Sequence, residues 1–167
     1  NIMINRRGYA VLTDLGILSL SSDEENGYMN SAKILTQFTK LTKKGEVIGS
    51  IGFMPPEQAT GKEVDARSDL YSLGATLYSL LTHNRCHYMG VRNAESIQDA
   101  YFTFLRAIGE LPDKDGKKRV LDITKPREYN PSIPEELEKV LIKALQVDKN
   151  KRFQNAEEFL SALENFR

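Results

Sequence analysis

The segment GSIGFMPPEQATGKEVDARSDLYSLGATLYSLL, Gly49 to Leu81, joins a proline-containing turn to a strongly apolar helical pattern. Its leucines recur at the three- and four-residue spacing of an α-helix, at Leu70, Leu73, Leu77 and Leu81. Further apolar or small residues leave little of the circumference polar, namely Tyr71, Ala75, Tyr78 and Leu80. Because a helix that is apolar almost all round is normally buried, the spacing predicts a buried helix after the turn.

The N-terminal residues have the pattern of a β-hairpin. Asn1–Ile4 and Tyr9–Thr13 alternate apolar with polar or small residues around a turn that contains Gly8, a residue that adopts positive φ at little cost. From Ser19 to Glu46 the chain is polar and shows no sustained periodicity. We therefore expect a hairpin followed by a long loop.

Three further helices are predicted after the apolar segment. Ser96–Ile108 has amphipathic spacing and ends at Gly109. Ser132 and Glu135 have the spacing of a capping box ahead of an apolar stripe at Leu137, Val140, Leu141, Ala144 and Leu145. The last helix begins at Asn155 and runs through Phe159, Leu163 and Phe166. The expected architecture is a hairpin, a long loop and then a helical body.

Composition places the chain among single-domain globular proteins. It has 167 residues, 40% of them apolar, and 23 basic residues balance 23 acidic ones. This balance argues against a nucleic-acid partner. No apolar run approaches the roughly 20 residues that span a bilayer, so no membrane segment is expected within the chain. The single cysteine, Cys86, excludes an internal disulfide and fits a reducing compartment, so we expect a cytoplasmic protein.

Asp14 is the first candidate for chemistry. It leaves the predicted second strand just before Gly16, where a carboxylate can be held rigidly and yet remain accessible. Hard cations such as Mg²⁺ prefer oxygen ligands of this kind, and the Asn1 amide at the other end of the hairpin could supply another. The simpler alternative is that Asp14 caps a turn. The hairpin alone leaves both interpretations open.

Four motifs, in this order, resemble those of eukaryotic-type (Hanks-type) protein serine/threonine kinases, and bacterial-type members in particular. The motifs are Asp14-Leu15-Gly16, similar to Asp-Phe-Gly; Pro55-Pro56-Glu57, similar to Ala-Pro-Glu; Ser68–Gly74, similar to the start of the central helix; and Asp148–Arg152, similar to the Asp-Pro-x-x-Arg turn. The resemblance covers nearly the whole chain. It implies a protein-kinase-like fold represented by its large, C-terminal lobe only, mainly α-helical with a short N-terminal β-hairpin and a long activation loop.

The resemblance also implies a role for individual residues. Asp14 would bind the Mg²⁺ that bridges the ATP phosphates, and Asn1, at the end of the catalytic loop, would complete the coordination. Glu57 and Arg152 would form the buried ion pair that ties the activation segment to the helical body. Asp69 would accept hydrogen bonds from the catalytic-loop backbone, although it could instead be an ordinary helix N-cap.

The same comparison favours serine and threonine as acceptors. Ser50 stands where serine/threonine-specific members carry a threonine that faces the catalytic aspartate. Phe53 replaces a usual tyrosine, and the tryptophan that tyrosine-specific members place before Pro-Glu is missing. In the long loop, Thr42 resembles a position that is phosphorylated in bacterial-type members, and Thr39 and Thr36 are weaker candidates.

The resemblance divides the partial kinase domain, 1–167, into a metal-binding hairpin (1–16), an activation segment (17–57) and a helical body (58–167). In the family, the N-terminal lobe and the His-Arg-Asp loop with the catalytic base precede the position of Asn1. We therefore expect a parent protein that transfers the ATP γ-phosphate to a protein substrate, and an isolated fragment that is inactive without the missing lobe. The alternative is a pseudokinase or a helical-lobe docking module without catalysis.

Two other patterns are weaker indications of a site. His83, Cys86 and His87 could ligate zinc, but a structural site normally needs four ligands, and the chain has no second cysteine. A basic cluster at Lys114, Lys117, Lys118 and Arg119 is interleaved with Asp113 and Asp115, which favours a solvated loop. Met54, Tyr71 and Tyr78 are expected in the core.

Overall fold

A computed structural model of the chain describes residues 2–13 and 50–166. The predicted long loop, 19–46, lies outside the described residues. So do Asn1, Asp14 and the three candidate phosphorylation sites Thr36, Thr39 and Thr42.

The N-terminal hairpin is confirmed. Strands β1 (Ile2–Ile4) and β2 (Ala10–Leu12) are antiparallel, and Ile2 pairs with Leu12. The turn between them is closed by the Asn5 side chain, whose Oδ1 accepts hydrogen bonds from the backbone N–H groups of Arg7 and Tyr9. Gly8 has a φ of 82°, the left-handed conformation for which glycine was expected. Every residue of the two strands is exposed.

The rest of the described chain is helical. Its helices are α1 (Pro56–Ala59), α2 (Ala66–Leu81), α3 (Ile97–Ala107), α4 (Pro126–Tyr129), α5 (Glu135–Ala144) and α6 (Ala156–Glu164), with a 3₁₀ turn at Lys149–Lys151. The helical body predicted from periodicity is thus present. The helices predicted to start at Ser96 and Asn155 begin there, and both residues are N-caps: Ser96 accepts from the Asp99 N–H, and Asn155 accepts from the Glu158 N–H.

The start of α2 differs from the sequence-based expectation. Its N-cap is Asp65, whose side chain accepts from the Arg67 N–H, while the Ser68 hydroxyl accepts from the Asp65 N–H. Asp69 lies inside the first turns of the helix and is exposed, so the interpretation of Asp69 as the N-cap is wrong. The reason is local: Asp65 and Ser68 form a reciprocal capping pair one turn earlier.

The prediction that α2 is buried all round is only partly right. Tyr71 and Tyr78 are fully buried, but Leu80 is 67% exposed and Leu73 is 37% exposed. These two leucines are seven residues apart and therefore share one face of the helix. Helical periodicity shows which residues share a face, and packing against other elements decides whether that face is covered.

The capping box predicted for α5 is also wrong. Pro134 occupies the N-cap position and provides no side-chain hydrogen bond. The Ser132 hydroxyl donates instead to Asn130 Oδ1, at 2.6 Å, and Glu135 forms an ion pair with Lys139 one turn ahead. A serine hydroxyl can form a hydrogen bond within the preceding turn instead of capping the helix that follows. Ser132 does so here.

Three groups of buried apolar side chains form the core. The largest joins the 51–59 segment to the loop before α3 and to α3 itself, through Ile51, Met54, Ala59, Tyr88, Val91, Ala100, Tyr101, Phe104, Leu105, Ala107 and Ile108. The second links α2, α5 and α6 through Leu70, Ala144, Phe153 and Phe159. The third contains Tyr71, Ala75, Tyr78 and Leu145. Met54, Tyr71 and Tyr78 therefore lie in the core, as expected.

The remaining surface features agree with the interpretation of the 113–119 segment as a solvated loop. Lys114, Lys117 and Lys118 are exposed, and Arg119 lies 2.9 Å from the Asp115 carboxylate.

Within the part of the chain that the structure describes, each helix is too short or too polar to cross a bilayer.

Candidate functional site

Arg152 and Glu57 form an ion pair that joins α1 to the segment between α5 and α6. Arg152 Nη1 and Nη2 each lie 2.7 Å from one oxygen of the Glu57 carboxylate. Arg152 is 1% exposed and Glu57 is 6% exposed. A bidentate contact of this kind fixes the orientation of both groups as well as their distance. The structure thus brings together two residues that are far apart in sequence, and they are neither independent nor on the surface.

Arg152 is also bonded to the surrounding backbone. Its Nε donates to the Gln146 carbonyl at 2.7 Å, and its two Nη atoms donate to the carbonyls of Arg67 and Val147. With the two bonds to Glu57 this makes five, the number of N–H donors that a guanidinium carries. The guanidinium also lies over the Tyr71 ring, 4.8 Å from its centroid. A buried arginine is tolerated here because each of its donors has an acceptor.

Glu57 is held in its ionised form. Burial by itself raises the pKa of this carboxyl, but hydrogen bonds from Arg152 and Ser68 outweigh burial and leave the pKa below its usual value. The Ser68 hydroxyl donates to Glu57 Oε1 at 2.5 Å. Since Ser68 also caps α2, the carboxylate connects α1 to the first turn of α2 as well as to Arg152.

A buried aromatic pair extends this network. The Tyr71 hydroxyl lies 2.7 Å from His87 Nε2. His87 is 1% exposed and packs against the rings of Tyr71, Tyr78 and Tyr88. Burial lowers the pKa of His87 from 6.5 to about 3, so the imidazole is neutral at physiological pH. A contiguous series of contacts therefore runs from Glu57 through Arg152 and Tyr71 to His87.

A second, more exposed ion-pair group lies beside this network. The Asp65 carboxylate accepts from Arg67 Nη2 at 2.7 Å and from Lys149 Nζ at 2.8 Å. Chiefly because of the hydrogen bond from Arg67, the pKa of Asp65 lies well below its usual range. Arg67 also donates to the side chains of Asn150 and Gln154. The group ties the N-terminus of α2 to the 3₁₀ turn that precedes Arg152.

Ser50 lies at the start of a tight turn and is exposed. Its carbonyl accepts from the Phe53 N–H at 3.0 Å, and the Ile51 carbonyl accepts from the Met54 N–H. The Phe53 carbonyl in turn accepts from the Ser72 hydroxyl of α2 at 3.0 Å. The turn that carries Ser50 is thus anchored directly to the central helix.

The other candidate residues are not brought together within the described structure. Asn1 and Asp14 lie outside it, as do Thr36, Thr39 and Thr42. Asp69 is on the exposed side of α2. The buried Glu57 and Arg152 group and the anchored Ser50 turn are therefore the parts of the predicted site whose geometry is described.

The side chains of the histidine and cysteine cluster do not converge on one point, as the ligands of a zinc ion would. His83 is exposed, whereas His87 points into the core. Across residues 2–13 and 50–166, no three His, Cys, Asp or Glu side chains are grouped as a metal ion would require. Burial raises the pKa of the Cys86 thiol, which disfavours the thiolate that binds metals.

Sequence reasoning missed four residues of this network. Asp65 and Ser68 carry a local signal, since an acidic residue three positions before a serine at a helix start has capping-box spacing. Tyr71 was assigned only to the core, and no pattern indicated that an arginine would lie on its ring. His87 was considered as a ligand, and its inward orientation has no signal in the sequence.

Comparison with known proteins gives one consistent family. Residues 1–162 match the family described as protein kinase domain. The tyrosine-protein kinase MasK of Myxococcus xanthus is 34% identical over 166 residues, which is 99% of this chain and 20% of that protein. A probable serine/threonine-protein kinase of Streptomyces coelicolor is 32% identical over 158 residues, or 95% of this chain and 19% of the relative.

A further relative is the serine/threonine-protein kinase PknB of Mycolicibacterium smegmatis. It is 30% identical over 164 residues, which is 98% of this chain and 21% of the relative. The chain thus spans about a fifth of the length of the curated relatives it matches. Given the match along 162 of its residues, the chain belongs to the protein kinase domain family.

Proposed function

We propose that this chain is the large, helical lobe of a protein kinase domain, and that the protein containing it transfers the ATP γ-phosphate to serine or threonine side chains of a protein substrate. The observation that carries the proposal is the buried, bidentate pair of Glu57 and Arg152. The pair holds the segment that follows Ser50 against the helical body. This anchoring would hold Ser50 in the substrate-facing position that the family resemblance implies.

The proposed metal ligands are Asn1 and Asp14. Ile2 pairs with Leu12 at the end of the hairpin opposite the turn. In sequence, Asn1 directly precedes Ile2, and Asp14 is two residues after Leu12. An amide oxygen and a carboxylate are the hard ligands that Mg²⁺ prefers. Mg²⁺-bound ATP would supply the phosphoryl group, and these two residues would hold the ion. The N-terminal lobe and the His-Arg-Asp loop would have to come from sequence other than these 167 residues.

Acceptor specificity is part of the proposal because the relatives' names differ. Two of the relatives named above are serine/threonine-protein kinases, and one is a tyrosine-protein kinase. Ser50, Phe53 and the absence of tryptophan from the whole chain favour serine and threonine. Peptides that differ only in a central serine, threonine or tyrosine test this directly. Transfer to tyrosine alone would contradict it.

The metal role is tested in the complete protein. With ATP, Mg²⁺ and a generic serine-containing protein substrate, we expect Asp14→Ala to reduce transfer by about a hundredfold or more, since charge stabilisation dominates phosphoryl transfer. Asp122→Ala removes an exposed carboxylate that has no hydrogen-bond partner within the described structure, and it serves as the matched control. Equal transfer by the wild-type protein and Asp14→Ala would refute the metal assignment.

The isolated 167-residue polypeptide is expected to transfer no phosphate, because it contains no residue in the role of the catalytic base.

Thr42, Thr39 and Thr36 are the proposed phosphorylation sites, and mass spectrometry of the complete protein after incubation with ATP tests them. If the complete protein transfers no phosphate to any substrate, the alternative of a pseudokinase or docking module takes precedence. The segment 83–87, which departs from the family's usual Gly-x-x-Pro-Phe, is the feature that favours this alternative.

A further inference from the structure

A pocket opens on the surface between the loop that joins α2 to α3 and Tyr129 of α4. Its volume is about 380 Å³, within the range in which proteins bind small groups. The polar side chains of its lining include those of Arg85, Arg92, Asn84 and Asn93. The pocket is therefore large enough for a side chain with part of its backbone, and its wall can donate several hydrogen bonds.

The charged side chains that the structure describes in the lining of the pocket are both positive. Arg85 and Arg92 line it, and no aspartate or glutamate of the described ranges does. Neither arginine forms an ion pair with any residue in those ranges. Three other arginines of the same structure do face a carboxylate, namely Arg67, Arg119 and Arg152. Two neighbouring cations without a counter-charge among the described residues form an attractive site for an anion.

Uncharged groups hold both arginines in place. The Arg85 guanidinium lies over the Tyr129 ring, 5.4 Å from its centroid. Arg92 Nη1 donates a hydrogen bond to the Asn84 carbonyl. Because a guanidinium has five N–H donors, each arginine keeps most of them available for a ligand. The pair is thus oriented, and no acidic side chain of the described ranges neutralises it.

The backbone at the pocket's edge has an unusual conformation. His83 and Asn84 have φ values of 54° and 65°, in the left-handed region that residues other than glycine rarely adopt. The Asn84 N–H donates to the Ser79 carbonyl at 2.6 Å and closes the end of α2. This turn leaves the Asn84 carbonyl free to accept from Arg92, and so it contributes to the shape of the basic wall.

Both arginines also line a smaller cavity near the turn that carries Ser50. Its volume is about 20 Å³, and its lining includes Gly52 and Phe53 of that turn as well as Arg85 and Arg92. The two arginines therefore lie close to the turn whose first residue is Ser50.

We propose that this pocket binds an acidic side chain of a polypeptide, either a glutamate or aspartate carboxylate or a phosphoserine, and that it selects protein substrates which carry such a group near the acceptor residue. The substrate part of the inference rests on the proposed kinase function, whereas the binding part does not. A polypeptide is favoured over a nucleic acid because the positive charge is confined to two side chains in a chain of zero net charge.

Binding is tested without ATP, so that it does not depend on catalysis. Fluorescence anisotropy of the complete protein is measured with short labelled peptides that differ only in two central residues: two glutamates, two phosphoserines or two glutamines. We expect both acidic peptides to bind at least about tenfold more tightly than the glutamine peptide, with an affinity that falls as salt is raised. Equal affinity for the glutamate and glutamine peptides would overturn the proposal. A greater affinity for phosphoserine identifies the phosphate as the preferred group.

Variants assign the binding to the pocket. The double variant Arg85→Gln, Arg92→Gln is expected to weaken binding of the acidic peptides about tenfold. Arg85→Lys, Arg92→Lys should weaken it less, because the charge is kept while the planar guanidinium and its paired donors are lost. The control variant Lys117→Gln, Lys118→Gln removes the same number of positive charges from two exposed residues outside the pocket. If this control weakens binding as much as Arg85→Gln, Arg92→Gln does, the pocket is not the site. Arg92→Gln alone replaces the double variant if that protein does not fold.

Two further outcomes separate the possible interpretations. A short single-stranded oligonucleotide that displaces the glutamate peptide at a lower concentration than unlabelled glutamate peptide does would overturn the proposal in favour of a nucleic-acid site. Phosphate transfer with no preference for acidic substrates would remove the selectivity and leave the kinase function intact. Selective peptide binding without any phosphate transfer would support the binding site and contradict the kinase function.

Discussion

Arg152 illustrates how a single residue is specified by its surroundings. Its side chain has no exposed surface, and its five hydrogen bonds end on one carboxylate and three carbonyl groups. Coulombic attraction alone would not offset the loss of hydration of two buried charges. The pair is stable because the remaining donors of the guanidinium and one further lone pair of Glu57 also have partners.

Removing one member of this pair is predicted to be costly. Arg152→Met should lower the free energy of unfolding by about 3–5 kcal/mol, because Glu57 then remains buried without a cation. Urea denaturation of the isolated domain measures this. Lys139→Met, which removes an exposed cation 2.7 Å from Glu136, should cost less than about 1 kcal/mol. If the two variants lost similar amounts of unfolding free energy, the buried pair would contribute no more to stability than an exposed pair does.

At the scale of elements, α2 and α5 cross where two small residues meet. An ideal Cβ on Gly74 would lie 2.7 Å from the Ala144 Cβ, closer than side-chain carbons approach one another. Both residues are buried. The crossing brings Leu70 and Tyr71 of α2 into the core beside α5 and therefore positions Tyr71 under Arg152.

Gly74→Ala is therefore predicted to destabilise the protein in spite of the helix propensity of alanine. Propensity favours the substitution by about 1 kcal/mol, but forcing an extra methyl group into the contact costs about 1–3 kcal/mol. A double-mutant cycle with Ala144→Gly should give a coupling of about 1 kcal/mol, because that change removes the clashing methyl group. A stabilised Gly74→Ala protein would mean that the two helices are farther apart than described.

At the scale of the whole molecule, the buried histidine makes stability depend on pH. His87 is surrounded by the rings of Tyr71, Tyr78 and Tyr88, and the Arg152 guanidinium lies over the Tyr71 ring. No carboxylate among its described contacts compensates a positive charge on the imidazole. Its pKa is lowered to about 3, so the unfolded chain binds a proton between pH 6.5 and 3 that the folded chain does not.

The free energy of unfolding should consequently fall as the pH is lowered below 6.5. The expected slope approaches about 1.4 kcal/mol per pH unit, or about 2 kcal/mol between pH 7 and pH 5, above the range in which carboxylates titrate. Thermal unfolding across this range measures the slope. His87→Gln should remove it, and His83→Gln, which changes the chain's other, exposed histidine, should keep it. An unchanged slope in His87→Gln would contradict the assignment.

Local signals predicted the elements well where the deciding bonds are also local. Gly8 marks the hairpin turn, and Ser96 and Asn155 cap their helices through bonds to residues three positions ahead. The same type of signal failed at Ser132, because a competing local bond to Asn130 was available. Local rules therefore determine which bonds are possible, and the surrounding structure selects among them.

The sequence identified some residues of the candidate site but not the contacts that connect them. Glu57 and Arg152 were identified through the resemblance of their motifs, since no local rule connects residues 95 positions apart. Ser68, Tyr71 and His87 were not assigned to the network. Their partners come from distant segments, and the hydrophobic pattern records that a side chain is buried without recording what it touches.

By itself, the sequence determined the order of the hairpin and the helices, the approximate ends of most of them and the motifs of the kinase family, because these depend on bonds and spacings within a few residues. Only the tertiary structure decided that Leu80 is exposed, that His87 points inward, and that Arg85 and Arg92 share a pocket whose described lining contains no carboxylate. The physical reason is that burial and electrostatic environment depend on which distant segments pack together. Such packing is a property of the folded chain as a whole.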